Sequence, residues 1–392
     1  MAFLELALEK LARLQKRYAL LIFIIVVLIT GFLAIGVKDI RLQTDLTKEM
    51  PQDLPIFQLN NKISDTFGGQ DTIIILFRLD DTLDIQDGIN DIRHPYVIQS
   101  IMALEAVIKK ESSVDSVTSA AQYFRSEQFY TLGHVKSILD SKSSSYAFFS
   151  RDYKSTLMYI KADVGSSEEK IIKLAELIQG NIDSVPGIPG VKVSITGNPP
   201  MRVVMMQLLS HDAGFTLLFA ALIILILLFI MEKSFTKGLL VFTPLMIGLI
   251  WTMGTMGWLK IPLSIATVGL GAMILGLGVE YGVFMLTRYN EEREKGKSQL
   301  KSLIIAVPGV GSAIFGSGMT TIVGFLALTL SVMPMMQHLG QSLALGIAFS
   351  LVSAIVAAPV IIILAENFEF WYTDHKHQKL SIQKENHARM KR

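Results

Sequence analysis

Glu280 is an acidic side chain in an otherwise apolar and small-residue stretch, Ile261–Tyr289, and it carries the only formal charge between Pro262 and Arg288. A carboxylate in the middle of an apolar helix costs roughly 2.5–3.5 kcal/mol to insert, so it is kept only where it is paired, hydrated or used. Arg288 is eight residues further on; at 1.5 Å per residue the carboxyl lies about 12 Å inside that charged end, too deep for a glutamate to reach the headgroups. The chemistry open to it is loading and release of a proton or a small cation. The plain alternative is a structural hydrogen bond to a neighbouring helix. Tyr281, turned about 100° around the same helix, could bond a partner across an interface or only pack. In Phe315–Phe325, Gly316 and Thr320 stand at i,i+4, as do Ser317 and Thr321. Thr320 and Thr321 could offer hydroxyls to a carboxyl on the next helix, or bond their own backbone. Glu280, Tyr281, Thr320 and Thr321 are therefore the candidate proton or ion relay.

The helix that holds Glu280 is rich in glycine. At 100° per residue, Gly269, Gly276 and Glu280 share one narrow wedge, while Gly271, Gly278 and Gly282 fall on the opposite one. Glycine on both wedges lets neighbouring backbones approach from both sides, which predicts a central helix whose glycines serve packing.

Six segments are long and apolar enough to span a bilayer: Tyr18–Val37, Ala213–Met231, Leu239–Trp258, Leu263–Leu286, Ala313–Met333 and Leu339–Leu364. Mean hydropathy is +0.46 and charged residues make up 18%, below the roughly 25% of ordinary soluble domains. The first span is longer than a signal-peptide core and no clear cleavage site follows, so it is expected to stay. Before it, Phe3, Leu4, Leu8, Leu11 and Leu14 among charges predict an interfacial amphipathic helix over residues 1–17. The short segments are basic: Glu232–Gly238 is net +1, Thr287–Lys301 net +2 and the tail from Glu366 net +2, whereas Lys38–Asp212 is net −5. Positive segments stay inside, so both termini are expected in the cytoplasm and residues 38–212 outside a cell membrane, with 213–364 as the main bundle and 365–392 as a solvated tail.

The outer region alternates strand and helix signals: Thr72–Phe77, Tyr96–Lys110, Val114–Thr118, Thr156–Ala162, Ser166–Ile182 and Val191–Ile195. The order β-α-β-β-α-β is that of a ferredoxin-like α+β domain, with Ala120–Ser150 as an insertion. Ser166 and Ser167 ahead of Glu168 and Glu169 read as a helix cap. Asp80–Asp91, with five aspartates, reads as a solvated loop and not a calcium site, because no EF-hand spacing is present. No cysteine, P-loop, nucleophile elbow or helical metal-ligand pair occurs, and the seven histidines are scattered. No enzyme activity, metal or cofactor is expected, and a net charge of +2 does not suggest nucleic acid.

Gly276–Gly296, GLGVEYGVFMLTRYNEEREKG, resembles the fourth transmembrane helix of the resistance–nodulation–division (RND) superfamily, closest to its MmpL-like hydrophobe/amphiphile-efflux branch. That branch reads G-x-G-x-D-Y followed by R-Y-x-E-E. Gly197-Asn198-Pro199, Thr320-Thr321, Gly324-Phe325, Pro334, Gly340, Gly346 and Pro359 stand where the branch has comparable residues, so the resemblance covers essentially the whole chain. The five-helix block from Ala213 to Leu364 is also similar to the sterol-sensing-domain arrangement. The resemblance implies a six-span half bundle with a porter-type domain, driven by the proton-motive force and exporting hydrophobic or amphiphilic molecules such as lipids. Two departures stand out: the family usually has aspartate at the position of Glu280, and its members usually carry two such halves, whereas no second copy of the motif occurs here. The resemblance therefore implies a second half-length protomer as partner, identical or related. A different function class stays open, a non-transporting assembly or sensing module like the SecD/SecF protein-export auxiliaries, binding a lipid or protein partner.

Overall fold

A computed structural model describes residues 2–67, 71–80, 89–125, 130–162, 168–184 and 189–390. In chain order its elements are α1 (Ala2–Arg17), α2 (Ala19–Gly36), β1 (Leu42–Gln43), α3 (Pro55–Phe67), β2 (Asp71–Leu79), α4 (Pro95–Ile108), β3 (Val114–Ser119), α5 (Leu132–Asp140), β4 (Ser155–Ala162), α6 (Glu168–Ser184), β5 (Val191–Gly197), α7 (Asn198–Glu232), α8 (Phe235–Trp258), β6 (Leu263–Ser264), α9 (Leu270–Glu294), α10 (Gln299–Ala327) and α11 (Pro334–Met390). They fall into two compact units, one of Met1–Met50 with Leu209–Arg392, the other of Pro51–Leu208.

The first unit is a helical membrane body. Six helices are long and apolar enough to cross a bilayer: α2 with its short extension to Asp39, α7, α8, α9, α10 with its extension to Leu330, and Pro334–Trp371 of α11. The closest crossing, between α2 and α8, is made by glycine: a β-carbon on Gly254 would stand 2.0 Å from the carbonyl oxygen of Leu33, and one on Gly36 would stand 2.4 Å from that of Gly254. Backbones meet there because apolar lipid gives helices no hydrophobic reason to associate, leaving close van der Waals contact to do it.

Three of these helices contain an internal proline, Pro244 in α8, Pro308 in α10 and Pro359 in α11. Proline lacks the N–H that would bond the carbonyl four residues back. For Pro359 that carbonyl belongs to Ile355, and the Gln15 amide of α1 donates to it at 2.8 Å from a fully buried position. The sequence predicted α1 as a helix lying at the interface. In the structure its Leu8, Ala12 and Gln15 are buried against the bundle, while Phe3 and Leu14 of the same apolar set face outward.

Several boundaries differ from expectation: α7 begins at Asn198, not at Ala213, and α10 at Gln299, not at Ala313. The fourth span begins at Leu270, not at Leu263, because Leu263–Ser264 pairs in parallel with Leu42–Gln43. The Ser264 N–H then donates to the Thr267 hydroxyl at 2.7 Å, closing a turn before the helix. At the other end α11 runs on as helix to Met390; Lys, Gln and Glu in that stretch are good helix formers.

The second unit has the ferredoxin-like order. Its sheet runs β3-β4-β2-β5, all antiparallel, with Ile75 opposite both Met158 and Ile195. The alternation that marked these strands places Ile73, Ile75, Phe77, Met158 and Ile160 on the face covered by α4 and α6. α4 starts at Pro95, its N-cap His94 accepting from the Tyr96 N–H. Gly197, at φ +116, leads β5 into α7; a β-carbon there would meet the Thr72 carbonyl at 2.2 Å. The expected cap at Ser166 and Ser167 and most of the aspartate-rich stretch, residues 81–88, lie outside the described residues. At its described end, Arg93 pairs with Asp91 at 2.8 Å and lies 3.6 Å over the Tyr153 ring. Burial works to raise the Asp91 carboxyl, but hydrogen bonds from Arg93 and Lys136 outweigh it and hold the group well below the usual carboxylate range.

Candidate functional site

The two glycine wedges of α9 do different things. Gly271, Gly278 and Gly282 face their own chain: a β-carbon on Gly271 would stand 2.9 Å from Leu217, on Gly278 2.8 Å from the Ser350 hydroxyl, and on Gly282 3.0 Å from Val241. The opposite wedge is open. Gly276 has nothing within 4 Å, and Gly269, which serves as the N-cap residue of α9, has only Met273 at 3.9 Å. Within one chain, close approach from both sides, as the sequence suggested, is thus realised on one side only. Gly346 of α11, noted above only for the family pattern, makes a further close contact, its built β-carbon 2.5 Å from Ile274; the same small-residue rule accounts for it.

Glu280 lies on the open wedge and is exposed, where an interior position was expected. It has no hydrogen-bond or ion-pair partner among the described residues. Met273, Leu277 and Phe284 flank it, 47%, 40% and 51% exposed. Beside it a cavity of about 480 Å³ runs between α9 and α10, from Glu280 past Thr287 to Arg288 and Glu291, with Ala313 and Ser317 on the α10 wall. Arg288 and Glu291 close its charged end in a 2.9 Å ion pair.

Tyr281 lines the same cavity. Its ring is buried, 2% exposed, and its hydroxyl lies 3.5 Å from where Gly318 of α10 would carry a β-carbon. Thr320 and Thr321 are not brought to the carboxyl by hydrogen bonding: both donate to the Ser317 carbonyl, at 2.7 and 3.1 Å. The spacing that paired Ser317 with Thr321 therefore reports a backbone bond within one helix. Ser317 itself, with Tyr281 and Thr287, lines the cavity beside Glu280.

α9 ends where Gly296 takes φ +78 and its N–H returns to the Arg293 carbonyl. Glu292, 1% exposed, is held there by Lys295, Lys297 and Arg288. Glu366 of α11 accepts from Arg293, Tyr289 and Gln299, and Gln299 accepts from Lys16, so α1, α9, α10 and α11 meet in one polar cluster. A second acid was missed by sequence reasoning because its partner is distant in the chain: Glu49, 4% exposed, lies 3.7 Å from His338. Burial pushes its carboxyl up, opposed by the imidazole. Among the described residues no group of three or more His, Asp or Glu is placed to hold a metal ion.

A family model described as the MMPL family matches residues 58–389. The chain is 35% identical over 365 residues to the membrane protein MJ1562 of Methanocaldococcus jannaschii, covering 92% of this chain and 94% of that one. It is 25% identical over 245 residues to the siderophore exporter MmpL5 of Mycobacterium tuberculosis, 60% of this chain and 25% of that protein. With the membrane protein YdfJ of Bacillus subtilis it shares 25% identity over 269 residues, 67% of this chain and 33% of YdfJ. The match thus spans nearly all of the first relative and a third or less of the other two.

Proposed function

The chain belongs to the MMPL family of multi-pass membrane proteins, and from that premise we propose that it is an exporter of hydrophobic or amphiphilic molecules, driven by the proton-motive force and working as a pair of protomers. The observation that carries this reading is the placement of Glu280: a carboxyl in the apolar part of a spanning helix, exposed beside bare Gly276, with no hydrogen-bond or ion-pair partner among the described residues. A charge left so in hydrocarbon is costly, and a second protomer seated on this face would supply the missing surroundings. The partner is a second copy or a related half. The basic short segments support a reading with both termini on the cytoplasmic side of the cell membrane and Pro51–Leu208 outside.

The mechanism follows from the carboxyl's two states. Neutral, Glu280 tolerates a closed apolar seam; ionised, it requires water or a cation. A proton taken up from outside and released inside contributes about 2.3 kcal/mol per 100 mV, enough to bias two packings of the spans. The cavity toward Arg288 and Glu291 gives the carboxyl a polar route at one end. Names of relatives support the cargo class, since MmpL5 is named a siderophore exporter. The reading calls for no bond-making chemistry.

The test is flux of a fluorescent acyl amphiphile in vesicles containing the full chain under an imposed pH gradient. Movement is expected to collapse with the gradient and with Glu280→Gln, while insertion and abundance stay normal. Flux that persists in Glu280→Gln would overturn proton coupling. Binding of the probe without flux would favour the non-transporting module.

A further inference from the structure

A second cavity, of about 540 Å³, lies between the start of α8, the last turns of α9 and the Ile362–Glu369 stretch of α11. It sits at the basic end of the bundle, away from Glu280, and owes nothing to the transport reading. Its walls bring together three polar side chains with no hydrogen-bond or ion-pair partner among the described residues: Lys237, half-buried in the first turn of α8, with neighbouring Thr236, and Asn290 of α9. Together an ammonium, an amide and a hydroxyl supply up to six donor hydrogens. The acids in the same walls do not answer them. Glu366 already accepts from Arg293, Tyr289 and Gln299, and Glu369 has an interaction of its own.

A half-buried cation without a counter-charge, flanked by neutral donors, is matched by a compact group rich in acceptors and negatively charged. The rest of the wall says where such a group would come from. Leu240, Leu286, Ile362 and Phe368 continue it as an apolar surface, and Phe368, Phe370 and Trp371, 65%, 78% and 53% exposed, stand where a headgroup belt of aromatics would be. We propose that this cavity binds a phosphate group, that of a membrane phospholipid, with Lys237 and Asn290 on the phosphate and the acyl chain along Leu240 and Phe368. Basic pockets between spanning helices on the positive side recognise lipid headgroups by this chemistry.

The full chain, purified in a phosphate-free maltoside detergent, would be followed by thermal unfolding with three probes: dioctanoyl phosphatidylglycerol, dioctanoylglycerol and inorganic phosphate. The phospholipid is expected to raise the midpoint and dioctanoylglycerol to leave it unchanged. Lys237→Gln is expected to raise the half-saturating phospholipid concentration about ten-fold, equivalent to ~1.4 kcal/mol, with a smaller rise for Asn290→Ala and recovery in Lys237→Arg. Probe-free midpoints of the variants equal to wild type would show that they fold. A shift reproduced by inorganic phosphate with the same Lys237 dependence supports the phosphate site and assigns it a soluble source. A shift given equally by dioctanoylglycerol, or one that ignores both Lys237→Gln and Asn290→Ala, overturns the proposal.

Discussion

The carbonyl oxygen of Gly36 stands 1.8 Å from the point where residue 257 would carry a β-carbon. Backbone cannot yield as a flexible side-chain tip can, so Gly257→Ala must drive α2 and α8 apart. Overpacking of this kind costs about 1–3 kcal/mol or more. Thermal unfolding in detergent is expected to show that loss, with Gly254→Ala behaving alike.

Gly276 gives the opposite expectation. Nothing lies within 4 Å of it, so Gly276→Leu should change the stability of the single chain by no more than about 0.5 kcal/mol. Pairing through this face would suffer instead. The chain has no cysteine, and Leu277→Cys on the same face should crosslink two copies in membranes, an effect lost when Gly276→Leu is added. No crosslink from Leu277→Cys, Met273→Cys or Phe284→Cys would argue against pairing there. Tyr281, being buried, is the wrong place for the reporter.

At the carboxyl, Glu280→Asp keeps a titrating group one methylene shorter. Flux within roughly ten-fold of wild type, a barrier change of about 1.4 kcal/mol, is expected; complete loss would mean that reach outweighs charge. Thr320→Val and Thr321→Val should leave flux near normal, since both hydroxyls are bonded to the Ser317 carbonyl. Ser317→Ala, in the cavity wall beside Glu280, should slow it.

These contrasts show how far the residues could be read in advance. Six apolar runs and the alternation of Ile73, Ile75 and Phe77 announced both units, because hydropathy and period are local properties. Glu280 stood out because a charge among apolar residues needs no partner to be noticed. Local spacing does not reveal which neighbour a group meets. Gly36 and Gly254 are more than 200 positions apart in the chain, Glu49 and His338 nearly 300, and the open side of α9 depends on where α8, α10 and α11 pack. The start of α9 at Leu270 was hidden for a smaller reason: one hydroxyl, on Thr267, takes a backbone N–H that the apolar pattern assigned to a helix.

Asp91 sets an expectation in pH. Its carboxyl sits below the ordinary value in the folded chain, so on acidification the unfolded state takes up the proton first. Its stabilising share is complete above about pH 4 and disappears as pH falls toward the folded value. Unfolding of the Pro51–Leu208 unit in the full chain, followed from pH 5 to pH 2, should lose stability across that window. In Asp91→Asn this component should be absent, leaving a flatter profile that starts lower at neutral pH.

Gln15→Ala would leave the buried Ile355 carbonyl without its donor. An unsatisfied buried acceptor costs about 1–3 kcal/mol, so a lowered unfolding midpoint is expected. Gln15→Asn, one methylene short of the carbonyl, should recover little of it.

That bond also fixes an order of events. Gln15 is made some 340 residues before Ile355, at roughly 5–20 residues per second. The rung that Pro359 omits in the last span can be filled only after that span has been threaded into the bilayer. α1 thus waits for a span made long after it before this contact can form, and a tether that holds α1 elsewhere would leave the Ile355 carbonyl unfilled.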